Sequence, residues 1–125
     1  MERHLPIVDI AGTAFYVDVL LDELRQTENP GNRISFNELE ESENGYSFLY
    51  DTRTNNIPDV NTDLGKDKER YVWVTLPALM ELDPEGISGK YGIPLEVLSP
   101  DFPYKGGRVT AKIQPLHPLG DNRKK

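Results

Sequence analysis

Cysteine is absent from all 125 residues. That removes disulfides, thiolate metal sites and cysteine nucleophiles together. Histidine occurs only as His4 and His117, near opposite ends of the chain, and His117 sits between prolines in PLHPLG. Neither shares an element with a second ligand-type residue at metal-binding spacing, so no metal is expected. The acidic stretch DVNTDLGKDKE lacks the register of a calcium loop and puts Lys66 and Lys68 where oxygen ligands are needed. No run approaches the roughly 18 apolar residues of a membrane span. The first residues, MERHLPIVDIAG, have no apolar stretch of signal-peptide length. The expectation is a cytoplasmic chain with no membrane contact.

Catalytic motifs are missing as well. There is no G-x-S-x-G elbow, no Ser-His-Asp grouping and no phosphate-cradling glycine loop. Lys105-Gly106-Gly107-Arg108 is basic and glycine-rich but lacks the Walker spacing, and reads as a hairpin or bulge. No cofactor is expected.

What is present is acid. The net charge is −7, unevenly spread. Residues 1–104 hold 8 Lys/Arg against 20 Asp/Glu, whereas residues 105–125 hold 6 against 1. The acidic body disfavours phosphate backbones, and the basic end reads as a solvated tail over about 118–125. Apolar residues make up 37% and mean hydropathy is −0.57. A core drawn from so few apolar residues leans on the four Phe, six Tyr and one Trp. At this length the chain is one domain.

The pattern along the chain predicts an α+β fold: a mainly antiparallel sheet of about five strands, with one or two short helices before the last. Residues 6–20 read as a hairpin turning at Ala11-Gly12, with Val8, Ile10, Phe15 and Val17 on one face and Asp9, Tyr16 and Asp18 on the other. Residues 22–33 read as a connector whose Asn29-Pro30-Gly31-Asn32 is a turn. Ser35 and Glu38 have capping-box spacing, predicting one or two helical turns in SFNELEES. YSFLYD and RYVWVTL read as strands separated by a long polar loop. Pro77 starts a helix over PALMEL; Asp83 caps a second, with Pro84 at its first position and Gly92 stopping it. RVTAKIQ is the last strand, placing Val109, Ala111 and Ile113 inward.

Four groups of residues are candidates for function. Asp9 and Asp18, with Tyr16, form a carboxylate pair of the kind that moves protons, although the wet face of a hairpin has the same composition. Glu38, Glu40, Glu41 and Glu43 form the densest acidic patch, either a solvated face, a docking face for a basic partner or a mimic of nucleic-acid charge. Tyr46, Phe48 and Tyr50 share one strand face, and Tyr71 and Trp73 share a face of another. If the strands are neighbours, the aromatic residues form either core or a binding surface. Lys105, Arg108 and Lys112, with the NRKK tail, are candidate nucleic-acid contacts.

The stretch ISGKYGIPLEVL has the outline of a helix-turn-helix. Yet Gly86 and Gly89 weaken its first helix by about 0.5–1 kcal/mol each. PLEVL gives barely one turn and carries only Glu96, with no Arg, Lys, Asn or Gln for base edges. Its apolar residues Ile87, Tyr91, Ile93, Leu95 and Leu98 instead read as a corner packed on the sheet.

The combination of LPIVDIAGTAFYVDV, NRISF, FLYDTRT and ELDPEGISGKYGI resembles short bacterial proteins of unknown function encoded beside mobile-element genes. The resemblance covers most of the chain. It implies a bacterial, cytoplasmic, stand-alone domain and brings no activity, cofactor or catalytic residue. Function is therefore expected to be non-enzymatic: contact with a protein partner or with a second copy. Nucleic-acid association through the basic end and a small enzyme using Asp9 and Asp18 are the alternatives.

Overall fold

A computed structural model of the chain describes residues 5–42, 45–59, 61–98 and 108–115. The fold is α+β with a mainly antiparallel five-stranded sheet, as the sequence predicts, and a second sheet of four strands brings the described residues to nine strands. The first sheet has the order β4-β3-β2-β1-β8 and the second β5-β6-β7-β9.

In the first sheet, β1 (Ile7–Ile10) and β2 (Thr13–Asp18) form the expected hairpin, closed by a two-residue loop. Ala11 and Gly12 both have positive φ, 49° and 87°, the geometry that suits the right-handed strand twist. Val8, Ile10, Phe15 and Val17 all point into the core. The connector assigned to residues 22–33 holds a further strand, β3 (Glu23–Gln26), because Leu24 has a place in the core and the residues around it pair with both β2 and β4 (Arg33–Ser35). The turn after it is where Pro30-Gly31 predicts it, with Asn32 N–H donating to the Asn29 carbonyl at 2.8 Å.

Ser35 does act as a cap, accepting from Asn37 N–H at 3.1 Å. The element it caps is a single 3-10 turn, Phe36–Glu38, rather than α-helix. The chain then runs straight into β5 (Glu40–Ser42), which pairs with β6 (Gly45–Asp51). β6 pairs in turn with β7 (Tyr71–Leu76).

The last strand corrects the sequence reading. RVTAKIQ breaks at Ala111 into β8 (Arg108–Thr110), parallel to β1, and β9 (Lys112–Pro115), antiparallel to β7. Ala111 N–H donates to the Asp9 carbonyl at 2.8 Å and its side chain is buried. Ile113, expected inside, is 36% exposed at the edge. The β4–β5 and β8–β9 segments thus each leave one sheet and enter the other, so the two sheets share both bounding segments. Strands that switch sheets at a bend are how such corners are made. Between the sheets lies one core, in which Phe15 of the first meets Tyr50 of the second edge-on at 6.4 Å.

Among the described residues three α-helices come after β7. Pro77 precedes rather than starts α1 (Leu79–Leu82), whose N-cap is Ala78 with no side-chain bond. α2 (Pro84–Tyr91) matches the sequence reading: Asp83 Oδ1 accepts from Gly86 N–H at 3.0 Å, and Gly92 stops the helix at φ 69°. α3 (Leu95–Leu98) is one turn. No helix among the described residues is long and apolar enough to cross a membrane.

Candidate functional site

The two aromatic strands are neighbours, but their aromatic sets do not merge. Residues opposite one another in an antiparallel pair share a face. Here Tyr46, Phe48 and Tyr50 face Leu76, Val74 and Val72, whereas Tyr71 and Trp73 face Asp51 and Leu49 on the other side. Phe48 and Tyr50 are core residues, stacked edge-on at 6.2 Å. Tyr71 is buried on the outer side with the Arg70 guanidinium 5.3 Å from its ring centre, and Trp73 is half-buried. Sequence alternation places residues on the faces of each strand; the relative register of two strands separated by about twenty residues is outside its reach.

Tyr46 is the exception. It lies where β6 begins, its ring stacked on Phe36 at 5.7 Å, and it forms part of a groove of about 350 Å³. One wall is the β5–β6 hairpin, through Glu41, Ser42 and Gly45. The other is α1 and α2, through Leu79, Met80, Ile87 and Tyr91. The hairpin approaches the link between β7 and α1 closely because residue 45 is glycine. A Cβ there would overlap the Leu76 carbonyl oxygen and lie 3.0 Å from the Pro77 carbonyl carbon. Leu79 and Ile87 are half-buried against the core, while Met80 and Tyr91 are 43% and 61% exposed. Tyr91 thus departs from the expectation that it packs the corner onto the sheet.

The β2–β3 turn stands beside this groove. Lys90, the residue before Tyr91, donates from Nζ to the Val19 carbonyl at 3.0 Å and to Asp22 Oδ1 at 2.8 Å. These bonds bracket Leu20 and Leu21, which are 66% and 60% exposed. Burial pushes the pKa of Tyr46 up, and the charges of Glu41 and Asp22 push it the same way. The turn, the hairpin and α2 therefore meet around one phenol. Two exposed apolar side chains, Met80 and Tyr91, line the groove with it, and Leu20 and Leu21 are exposed on the β2–β3 turn.

The remaining candidates are dispersed. Asp9 lies opposite Ala14, so Asp18 is four residues further along β2, about 13 Å at a rise of about 3.3 Å per residue. Each aspartate is engaged separately. Asp9 accepts two 2.7 Å bonds from Arg108, which hold its carboxyl below the usual carboxylate range. Asp18 accepts from Arg25 at 3.0 Å and from Leu21 N–H at 3.1 Å, and Arg25 also covers Tyr16, 5.9 Å from its ring centre. The geometry brings no proton-transfer pair together.

Of the basic candidates, Arg108 is committed to Asp9, Lys112 is exposed on β9, and Lys105 lies outside the described residues, as do His4, His117, Glu43 and the 118–125 tail. Among the described residues no three His, Cys, Asp or Glu side chains gather as a metal site. Glu38, Glu40 and Glu41 are exposed; Glu41 shares a face with Tyr46 and lines the groove, whereas Glu40 lies opposite Ser47 on the other face of the hairpin.

Sequence reasoning missed the helical wall of the groove, because Met80, Ile87 and Tyr91 look like ordinary core positions of an amphipathic corner. Of the two stretches that build the groove, 34–52 contains no Lys or Arg and 71–91 contains only Lys90, whose Nζ lies 5.6 Å from the Tyr91 ring centre. Comparison with protein-family models, curated proteins and solved structures finds no match to this chain.

Proposed function

We propose that the chain is a non-enzymatic interaction domain that docks a protein partner at the groove between the β5–β6 hairpin and α1–α2. The observation that carries this reading is the exposure of Met80 and Tyr91 on the wall of a partly apolar groove, with Leu20 and Leu21 exposed on the β2–β3 turn that Lys90 ties to α2. Large apolar side chains gathered at one site, with polar residues around them, are typical of protein contact surfaces. Tyr91 also matches the residue type that most often anchors such contacts. The separation of Asp9 from Asp18, each held by its own arginine, supports the same reading over proton-transfer catalysis.

The test is affinity capture from host lysate with size-exclusion and light scattering, on the wild-type chain and a Met80→Ser/Tyr91→Ser variant. Both side chains are already exposed, so the variant keeps the fold. Capture of a defined partner by the wild type and its loss in the variant is the expected result. A strict monomer that retains nothing, or a partner retained equally by both, refutes the reading.

A further inference from the structure

The β2–β3 turn has an unusual composition. Leu20 and Leu21 occupy the two central positions of the turn Val19–Asp22, in which Asp22 N–H donates to the Val19 carbonyl at 3.3 Å. Gly, Pro, Asn, Asp and Ser dominate such positions. Here two leucines stand there, 66% and 60% exposed. The backbone around them is held in place. Asp18 Oδ1 accepts from Leu21 N–H at 3.1 Å, and Lys90 Nζ donates to the Val19 carbonyl and to Asp22 Oδ1. Asp22 itself has φ 58°, a left-handed conformation that costs an aspartate energy. The leucines therefore stand on a preorganised projection, which loses little freedom on binding.

Beside the projection lies its converse. The groove has Tyr46, Leu79, Met80, Ile87 and Tyr91 on its walls, and neither Leu20 nor Leu21 of the same chain lines it. Its volume of about 350 Å³ is more than twice that of a cavity of about 150 Å³, which already admits a benzene-sized group. Lys90 joins the two features: its ammonium lies 3.0 Å from the Val19 carbonyl and 5.6 Å from the Tyr91 ring centre. Of the six large apolar side chains exposed among the described residues, Leu20, Leu21, Met80 and Tyr91 belong to this neighbouring pair.

We propose that the groove's occupant is the Leu20–Leu21 turn of a second copy, with the two copies exchanging turns about a two-fold axis. This rests on the groove being a docking site. A two-fold interface requires a self-complementary patch. A projection next to a recess supplies one, because rotation about an axis between them sets each projection over the recess of the other copy. The cation between them, Lys90, is already paired with Asp22, so closing the contact strands no ammonium.

Other occupants fit less well. Glu41 is the one exposed carboxylate on the groove wall, too little charge to select a cationic segment. Anionic lipid and nucleic acid call for a basic surface. The cations beside this turn, Lys90 and Arg25, are both in ion pairs.

Sedimentation equilibrium of the full chain over about 1–200 µM, where small interfaces dissociate, is expected to show a reversible dimer. Leu20→Ser/Leu21→Ser removes the projection, and Met80→Ser/Tyr91→Ser removes the exposed wall of the recess. Each is expected to weaken the dimer about tenfold or more. An equimolar mixture of the two variants separates exchange from like-on-like contact. In the mixed pair one intact turn meets one intact groove, whereas neither variant alone forms any intact contact. The mixture is therefore expected to associate about threefold or more tightly than either variant by itself. The melting temperature of Leu20→Ser/Leu21→Ser at about 1 µM is expected to match or exceed that of the wild type, since serine suits turn positions.

A chain that stays monomeric to about 200 µM overturns the exchanged dimer. So does a dimer that either variant leaves intact, or a mixture no tighter than its components. A lower melting temperature in the serine turn variant makes the leucines part of the fold and overturns it as well. Lysate capture separates this from the docking reading: a groove-dependent partner other than the chain itself keeps that reading while the exchanged dimer falls.

Discussion

Arg70 holds Asp51 through two hydrogen bonds of 2.7 Å, from Nε to one carboxylate oxygen and from the terminal nitrogen to the other. Asp51 ends β6 and Arg70 immediately precedes β7, so the pair joins the two strands where the long loop between them leaves and returns. The same carboxylate accepts from Arg53 N–H at 2.9 Å, and Thr52 Oγ1 donates to the Arg70 carbonyl at 2.8 Å.

These hydrogen bonds to Asp51, above all the pair from Arg70, lower its pKa below the usual carboxylate value. A carboxylate with a depressed folded-state pKa stabilises the fold fully above its unfolded value, near 4, and that contribution disappears as pH falls through the lower folded value. The melting temperature of the wild type is therefore expected to fall steeply below about pH 4. Asp51→Asn should lower stability by about 1–2 kcal/mol at neutral pH and flatten the acid limb. Melts from about pH 2 to 7 read both effects, and an unchanged acid limb in the variant would show that Asp51 is not responsible.

Tyr50 predicts the opposite limb. Its ring is fully buried and its hydroxyl donates to Asn55 Oδ1 at 3.1 Å, an oxygen that also accepts from Thr13 Oγ1 at 3.1 Å. Burial pushes the phenol pKa far above its ordinary value. Because the folded pKa is raised, this contribution is complete below the unfolded pKa of about 10 and is lost as pH rises beyond it. Ultraviolet titration should leave Tyr50 protonated at about pH 11 and show it ionise only as the chain unfolds. Tyr50→Phe should remove that component of alkaline unfolding.

Asn55 is expected to be sensitive to substitution for two separable reasons. Its φ is 59°, in the left-handed region that Asn tolerates better than most residues. Its side chain also satisfies both hydroxyls. Asn55→Gly keeps the backbone but leaves the Tyr50 hydroxyl without its acceptor, at a cost of about 1–3 kcal/mol. Asn55→Ala adds backbone strain and should be worse. Denaturant midpoints in the order wild type, Gly variant, Ala variant would bear this out, and an Ala variant as stable as the Gly variant would remove the backbone argument.

Gly45→Ala tests the junction that shapes the groove. The added methyl overlaps the Leu76 carbonyl, and φ of 137° is itself unfavourable for alanine. A loss of about 2 kcal/mol or more is expected. A neutral result would mean that the hairpin does not approach the β7–α1 link as closely as described.

Ala11 offers a change in the stabilising direction. It occupies the first position of a two-residue hairpin loop with φ 49°, where asparagine before glycine is the favoured pair. Ala11→Asn is expected to raise stability by about 0.5–1 kcal/mol, since part of the left-handed penalty of about 1–2 kcal/mol is relieved. A lower melting temperature would show that the loop conformation differs.

Local rules account for what the amino-acid sequence determined by itself. Alternation put Val8, Ile10, Phe15 and Val17 on one face of the first hairpin, and that face is buried. Asp83, Pro84 and Gly92 marked the start and stop of α2, because capping and positive φ are properties of a few adjacent residues. Lengths and breaks were less legible. β3 was hidden in a polar stretch because Leu24 is its only deeply buried residue, and an inner strand with one such residue has little periodicity. Tertiary structure alone decided the rest. The bend at Ala111 moves one segment from β1 to β7, and the β6–β7 register turns Tyr71 and Trp73 away from Tyr46, Phe48 and Tyr50. The groove belongs to this second class. Its walls come from residues more than thirty positions apart, brought together by strand pairing and by the space left where residue 45 has no side chain.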